Sequence, residues 1–363
     1  MINKFDSVTL KKVMDKILLV FVFYLVAAAS FNGFFAKWAF LDISIYEQSN
    51  SFKYIFAGTA HRPFVYRQLM IDISKGIKKL IPKDEREELT KSLQEHDFIP
   101  EYYAKAKIDP SCLIEYHIVY FLAFFFLLIS MFIWRQLLSE ITGSTIAGTL
   151  TACCFALIFP ILETVGGYFY DFGELLFFSS AVFFAHRGWW LPLILITPFA
   201  EYNKESFFFF VVTLFPLLMA KIGKKKAASV IALCVLISGC VYLYISSVYA
   251  DNIGVPAEFQ LHFHLQLLFN LWTYTEIVYG VFFGWGTFFL YVILVAWLMK
   301  SAWSKLSLTW KYHLGLAALI NIPLYLLFCA PGELRNLSML FISFMVSLAV
   351  YLNEVIISVQ RRQ

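Results

Sequence analysis

Charge is scarce in this sequence. Only 15% of its 363 residues are Asp, Glu, Lys or Arg, and 60% are hydrophobic. A soluble domain carries about 25% charged residues, so a soluble fold is excluded for most of the chain. The composition is that of a polytopic membrane protein. Long polar stretches are missing too, apart from about 70 residues after the first apolar segment. Cysteine is sparse: the six Cys include no CxxC pair, which argues against a structural zinc site. Cys153, Cys154, Cys234 and Cys240 lie inside apolar runs and read as small core residues. Cys112 and Cys329 fall near the outer ends of spans, and a disulfide between them is left open. No Walker A sequence, dinucleotide fingerprint or Ser-nucleophile elbow occurs. The chain therefore has no visible means of binding a nucleotide-activated substrate, and nothing points to nucleic acid.

The apolar sequence divides into roughly ten segments, at about 17–38, 113–134, 145–162, 171–186, 188–200, 205–220, 227–248, 275–299, 313–330 and 336–357. The expected fold is all-α: a polytopic helical membrane protein with a single transmembrane domain over 1–363. Lys11, Lys12 and Lys16 precede the first run, and Ala27-Ala28-Ala29 resembles a signal-peptidase site. The run continues through Phe35, about 20 residues from Ile17, which suits an uncleaved first helix. The segment 188–200 is short: thirteen residues rise only about 20 Å against a hydrocarbon core of roughly 30 Å. Pro192 and Pro198 disturb it further. If the ten segments alternate, one set of ends carries Lys4, Lys11, Lys12, Lys16, Arg135, Arg187, Lys221, Lys224–Lys226, Lys300, Lys305, Lys311, Arg361 and Arg362. The bias of Lys and Arg toward the cytoplasm then puts both termini inside.

The remaining ends carry acids and bases together, in clusters at Asp42–Arg67, Glu163–Glu174, Glu201–Glu205 and Glu333–Arg335. Mixed charge gathered at one face indicates a polar site there. The region 39–112 is the one sizeable loop on that face. Within it, Pro63 suits a first helical turn, and Val65, Leu69, Ile73, Ile77 and Leu80 recur at helical spacing. This predicts an amphipathic helix in the membrane interface that stops at Pro82. A second, solvated helix is predicted over 84–96, with Asp84, Glu85, Glu87 and Glu88 near its N-terminus.

Several groups in these clusters can do chemistry. In His61-Arg62-Pro63-Phe64-Val65-Tyr66-Arg67, two guanidinium groups suit bidentate capture of a phosphate at the depth of a lipid-linked one. Two arginines snorkelling to lipid headgroups would look the same. Asp42, with Glu47 five residues on, supplies a carboxylate able to take a proton from a hydroxyl, or simply a solvated helix end. Asp171 and Glu174 in Tyr170-Asp171-Phe172-Gly173-Glu174 fit a capping box as well as a functional pair. The Asp-Phe-Gly string lacks the other kinase motifs and is a chance match. Lys204 and Glu205 open one apolar run, and Glu333 and Arg335 open another. His262 and His264 are two apart with no third ligand in view, so no metal site is assigned. Gly280-x-x-x-Gly284 reads as close helix packing.

This order of parts resembles the GT-C superfamily of polytopic glycosyltransferases. The likeness rests on a first span followed by a long outer loop with interfacial helices, and on Asp42 in Phe40-Leu41-Asp42-Ile43-Ser44-Ile45-Tyr46-Glu47. It also rests on a second acid in the next outer loop (Asp171, Glu174) and on Asn203-Lys204-Glu205-Ser206 before an apolar run. His61–Leu69 is similar to an Arg-Pro-Phe/Tyr-x-Tyr-Arg pattern of small bacterial membrane proteins of this kind. The superfamily's usual doubled acid is a lone Asp42 here, and the large C-terminal soluble domain of some members is missing.

The resemblance implies transfer of a sugar from a polyprenyl-phosphate donor to an acceptor at the extracytoplasmic face of a bacterial inner membrane. The acceptor would be an envelope glycan, a lipid or a protein. Asp42, Glu47, Asp171 and Glu174 are the expected catalytic carboxylates. His61, Arg62, Tyr66, Arg67, Lys204 and Arg335 are the expected phosphate and donor contacts, and Glu205 and Glu333 would orient the acceptor. No cofactor is called for; a divalent metal is compatible but not indicated. The partners are the bilayer, the lipid-linked sugar and envelope-assembly proteins. A transporter or flippase of lipid-linked saccharide is the alternative, with a non-catalytic subunit of a polysaccharide assembly system as a third reading. A transporter would be expected to carry its charges near the midplane and to show repeated halves.

Overall fold

A computed structural model describes residues 2–43, 50–95, 109–163, 167–267, 277–278, 281–282 and 287–362. Fifteen α-helices occupy them. The first five are α1 (Ile2–Ile43), α2 (Phe52–Ala57), α3 (Leu69–Leu80), α4 (Lys83–Glu95) and α5 (Leu113–Thr142). Then come α6 (Thr145–Leu162), α7 (Tyr170–Arg187), α8 (Trp190–Asn203), α9 (Phe207–Thr213) and α10 (Phe215–Ile222). The last five are α11 (Lys224–Val248), α12 (Leu261–Leu267), α13 (Thr287–Trp303), α14 (Leu308–Phe328) and α15 (Phe341–Gln360). A two-residue antiparallel pair, Ile277–Val278 with Val281–Phe282, is the one strand pairing among the described residues apart from an isolated bridge between Arg62 and Gly254.

Among the described residues, six stretches are long and apolar enough to cross a membrane: Lys11–Phe35, Pro110–Thr142, Thr145–Leu162, Lys224–Val248, Leu308–Phe328 and Leu334–Gln360. The chain is thus a helical membrane protein. α5 lies at its centre, packed against α1, α3, α6, α7 and α15. Phenylalanine fills the interior. Phe172 meets Phe34, Phe31 and Phe159, and Phe178 stacks flat on Phe210 with centroids 3.8 Å apart. Aromatic pairs of this kind add about 0.5–1.5 kcal/mol each beyond area burial.

Polar contacts sort the helix ends into two groups. At one end Asn252 Nδ2 donates to the carbonyls of Gly58 and Ala60, both at 2.9 Å, and His264 Nε2 lies 2.9 Å from the Cys329 carbonyl oxygen. At the other, Arg187 pairs with Glu140, Lys305 with Glu354, and Asn353 Nδ2 donates to Thr142 O at 3.3 Å. The short α8 runs between these same ends, from Trp190 under Lys226 to Asn203 against Tyr170.

Two sequence expectations are corrected. The segment 205–220 is two helices, not one. Pro216 sits in the first turn of α10, lacks an N–H and breaks the ladder. The Thr213 carbonyl at the break instead accepts from His313 Nδ1 at 2.8 Å. Pro63 does not open α3: it precedes a separate 3-10 turn, Phe64–Tyr66, and α3 begins only at Leu69. In α3, Leu69, Met70, Ile71 and Ser74 are buried, while Ile77 and Leu80 of the expected stripe are exposed on the protein surface, Leu80 at 83%. Lys78, bonded to Glu115 at 2.8 Å, ties α3 to α5. α4 lies where the second loop helix was expected. Gly280 and Gly284 lie outside the described residues, and Cys112 and Cys329 are not joined in a disulfide.

Candidate functional site

The mixed-charge segments, far apart in sequence, meet in one buried network. α7 brings Asp171 and Glu174, the turn after α8 brings Lys204 and Glu205, and the 3-10 turn ahead of α15 brings Arg335. Lys204 Nζ donates to Asp171 Oδ1 at 3.1 Å and to Glu174 Oε2 at 2.7 Å. Arg335 Nη1 donates to Asp171 Oδ2 at 2.8 Å, and its Nη2 to Glu333 Oε1 at 3.0 Å. Glu174 Oε1 also accepts from Ser206 at 2.6 Å and Ser338 at 2.8 Å. Asn336 bridges Glu333 at 2.9 Å and Lys204 at 3.4 Å.

The capping-box reading of Asp171 and Glu174 therefore does not hold. α7 starts one residue before Asp171, at Tyr170, with Phe169 as a cap that bonds nothing through its side chain. Asp171 makes one weak backbone contact, accepting from Tyr168 N at 3.3 Å. Both carboxylates are engaged chiefly by cations and hydroxyls from distant segments.

A third cation joins through aromatic rings. Arg67 grips Glu205 with two parallel bonds, at 2.6 and 3.3 Å, and donates to the Tyr170 hydroxyl. Its guanidinium lies 4.4 Å over the Tyr170 ring. Tyr170 stacks on Tyr168, and Arg335 covers Tyr168 at 4.5 Å. Arg67 and Arg335 thus both border the Tyr168–Tyr170 ring pair. Burial pushes the Glu205 carboxyl up, but the facing Arg67 guanidinium outweighs this and holds it below the ordinary glutamate value. For Arg67, burial acts downward and Glu205 more than offsets it, so the guanidinium stays charged.

The rim and the floor of the network differ. The side chains of Asp171, Glu174, Lys204 and Arg335 are 5% exposed or less, whereas Glu205 is 29% and Glu333 19% exposed. An entering anion would meet Arg67 and Arg335 by displacing those two rim carboxylates. Gly173 makes the packing possible: a Cβ there would lie 2.1 Å from Asn203 Oδ1. Asn203 in turn donates to the Tyr170 carbonyl at 2.9 Å.

Arg62, His61 and Tyr66 are not part of this network. Arg62 Nη2 donates to the Gly254 carbonyl at 2.6 Å, and its backbone N–H to Ile253 O at 2.9 Å. His61 lies in the same junction, half-buried, and Gly254 has φ +99° where Arg62 O approaches. Tyr66 is buried and meets Tyr242 edge-on. The sequence pairs Arg62 with Arg67 because they are close along the chain, but the structure gives Arg67 a different partner, Arg335. The side chain of Asp42 and the whole of Glu47 lie outside the described residues. His264 is taken up by Cys329 O and by contact with Tyr325. Among the described residues, no cluster of three or more metal-ligating side chains occurs.

Two acids were missed as site candidates by the sequence reading. Glu163, at the end of α6, is fully buried, and among the described residues neither carboxyl oxygen has a hydrogen-bond partner. It faces Asp171, Arg335, Lys204 and Lys37. Lys37 was missed too: its ammonium donates to the Pro160 and Glu163 carbonyls, each at 2.6 Å. A lysine inside an apolar run was the available signal. Glu201 is also buried, beside Glu205, the Ser238 hydroxyl and the Phe208 backbone N–H.

Compared with protein-family models, curated proteins and solved structures, the chain matches none.

Proposed function

We infer that this protein is a polyprenyl-phosphate-dependent glycosyltransferase of GT-C type. It transfers a sugar to an envelope acceptor at the extracytoplasmic face of a bacterial inner membrane. The observation that carries this reading is the network itself. Three buried cations, Arg67, Lys204 and Arg335, are gathered from three separate segments, and rim carboxylates shield two of them. Preorganised cations stabilise a departing phosphate without reorganising during the reaction. A lipid-borne donor keeps its tail in the bilayer, which accounts for the missing nucleotide site and for exposed Ile77 and Leu80 on α3.

In this mechanism the acceptor hydroxyl oxygen attacks the anomeric carbon. The bond from that carbon to the phosphate oxygen breaks, and the phosphate leaves with the electron pair. Arg67 and Arg335 take up the phosphate charge, while Lys204 holds Asp171 and Glu174 in place behind them. Asp171 and Glu174 are saturated by cations and hydroxyls, which makes them poor proton acceptors. That leaves Asp42 or Glu47 to take the hydroxyl proton.

The test uses purified protein in proteoliposomes with a polyprenyl-phosphate sugar and scores both donor binding and transfer. Arg67→Gln and Arg335→Gln should each weaken binding tenfold or more. Unchanged binding in both, or full transfer by Asp42→Asn combined with Asp171→Asn, sinks the assignment. The broken α9–α10 pair and the buried ion network also suit a flippase. Movement of the lipid-linked sugar between leaflets without transfer to any acceptor would select that reading.

A further inference from the structure

Glu163 has no role in the mechanism above, and its surroundings are unusual. The charged groups that act on it come from four separate segments: Lys37 from α1, Asp171 from α7, Lys204 from the turn after α8, and Arg335 from the turn before α15. Two of these cations are matched already, Lys204 by Asp171 and Glu174, and Arg335 by Asp171 and Glu333. Arg67 is matched by Glu205. The Lys37 ammonium is held by two backbone carbonyls. Among the described residues four cations thus stand beside four other carboxylates, and Glu163 is a fifth acid. Among the described residues neither Glu163 carboxyl oxygen meets a hydrogen-bond donor, and burial favours the neutral form of such a carboxyl. Burial and Asp171 both push its proton affinity well up, more than Arg335 and Lys37 draw it down.

Resting on the phosphate-binding reading, we propose that the network is a combined anion-and-proton site: a phosphate-bearing lipid docks on Arg67 and Arg335 while Glu163 holds a proton, and the two bind cooperatively. The physical link is direct. A bound phosphate adds negative charge beside Arg335, which favours the neutral form of Glu163. By reciprocity, a protonated Glu163 leaves more of the field of Arg335 and Lys204 free for the phosphate. A neutral buried carboxyl would also prevent a proton-free, over-negative network from forming when the rim carboxylates are displaced.

The experiment is calorimetric titration of the full-length protein in nanodiscs with farnesyl phosphate. Buffers of different ionisation heat count the protons taken up per ligand across a pH series. The ligand's own second ionisation, near about pH 6, is common to every variant and cancels in the comparison. At pH values where the infrared band of the free protein shows Glu163 beginning to lose its proton, wild type should take up more protons than Glu163→Gln, Glu163→Asp should retain the uptake, and Glu201→Gln should match wild type. Equal uptake in wild type and Glu163→Gln in that pH range, with binding intact, overturns the coupling and leaves the phosphate reading standing. A loss of uptake in Glu201→Gln alone assigns the proton elsewhere and also overturns it. Absence of farnesyl phosphate binding to wild type overturns the phosphate reading, and the inference falls with it. Infrared spectroscopy of the unliganded proteins gives an independent arm. The band of a protonated carboxyl should weaken in Glu163→Gln, and an unchanged band rejects a neutral Glu163 whatever the ligand does.

Discussion

Lys204 is the residue on which the floor of the network depends. It is the cation shared by Asp171 and Glu174, and none of the three has access to water. Removing one partner of a buried ion pair leaves an uncompensated charge, at a cost of about 3–5 kcal/mol. Lys204→Met should therefore lower the thermal midpoint of the purified protein sharply. Adding Asp171→Asn and Glu174→Gln to it should recover most of the loss, since the orphaned charges go too. A midpoint unaffected by Lys204→Met would show that these contacts are not what holds α7 to the turn after α8. Glu205 makes a prediction of opposite character, in pH. Its carboxyl is held below the ordinary glutamate value of about 4.3 by Arg67. A depressed carboxylate stabilises the fold above its unfolded value, and that stabilisation is lost as pH falls through the folded value. On acidification below about pH 4.3, wild type should lose thermal stability more steeply than Glu205→Gln, closing the gap between them. Parallel acid curves for the two proteins would contradict this.

Among the elements, glycine positions separate packing from propensity. In α7, a Cβ at Gly173 would meet Asn203 Oδ1 at 2.1 Å, so Gly173→Ala must push Asn203 off the Tyr170 carbonyl. Overpacking of this kind costs about 1–3 kcal/mol, and here it should also loosen α7 against α8. In α3, a Cβ at Gly76 meets nothing within 4 Å. Gly76→Ala should stabilise by about 0.4–1 kcal/mol through the unfolded chain. Thermal melts of the two variants check both signs, and a stabilised Gly173→Ala would mean that α7 and α8 do not pack as described. The same elements show what could be read from sequence. α4 and α6 were legible because apolar periodicity and capping residues are local properties. The α9–α10 break was not: the run around Phe215 is so apolar that hydropathy masks Pro216, and His313, which occupies the freed carbonyl, lies 100 positions away. At the site, the segments were legible because they are the rare places where charge touches an apolar run. The pairings were not, because Arg67 with Glu205 and Arg335 with Asp171 are contacts between distant segments. Neighbourhood in sequence wrongly joined Arg62 to Arg67, whereas the carbonyl of Gly254 claims Arg62.

At the scale of the whole molecule, the question is how the two ends of the bundle relate to the membrane. The network, the Asn252 junction and the His264 contact belong to one end; the Arg187–Glu140 and Lys305–Glu354 pairs belong to the other. The second end also carries the Lys224–Lys226 run, tied down where Lys226 covers Trp190. An excess of Lys and Arg marks the cytoplasmic side, so the network should face outward. α8 is the element on which this depends. With 14 residues it rises only about 21 Å, less than the roughly 30 Å of hydrocarbon, and Pro198 lies inside it. Yet it joins the basic end to the network, and if it fails to cross, every later segment inverts. Single cysteines at exposed sites decide the matter: Glu87→Cys on α4 and Asp251→Cys after α11, against Lys225→Cys and Arg361→Cys. In intact cells a membrane-impermeant maleimide should label the first pair, and label the second pair only after permeabilisation. Labelling of Glu87→Cys and Lys225→Cys from the same side would mean that α8 does not cross. Labelling of Lys225→Cys and Arg361→Cys from outside, with Glu87→Cys protected, would turn the network toward the cytoplasm and remove the case for an extracytoplasmic lipid-linked donor.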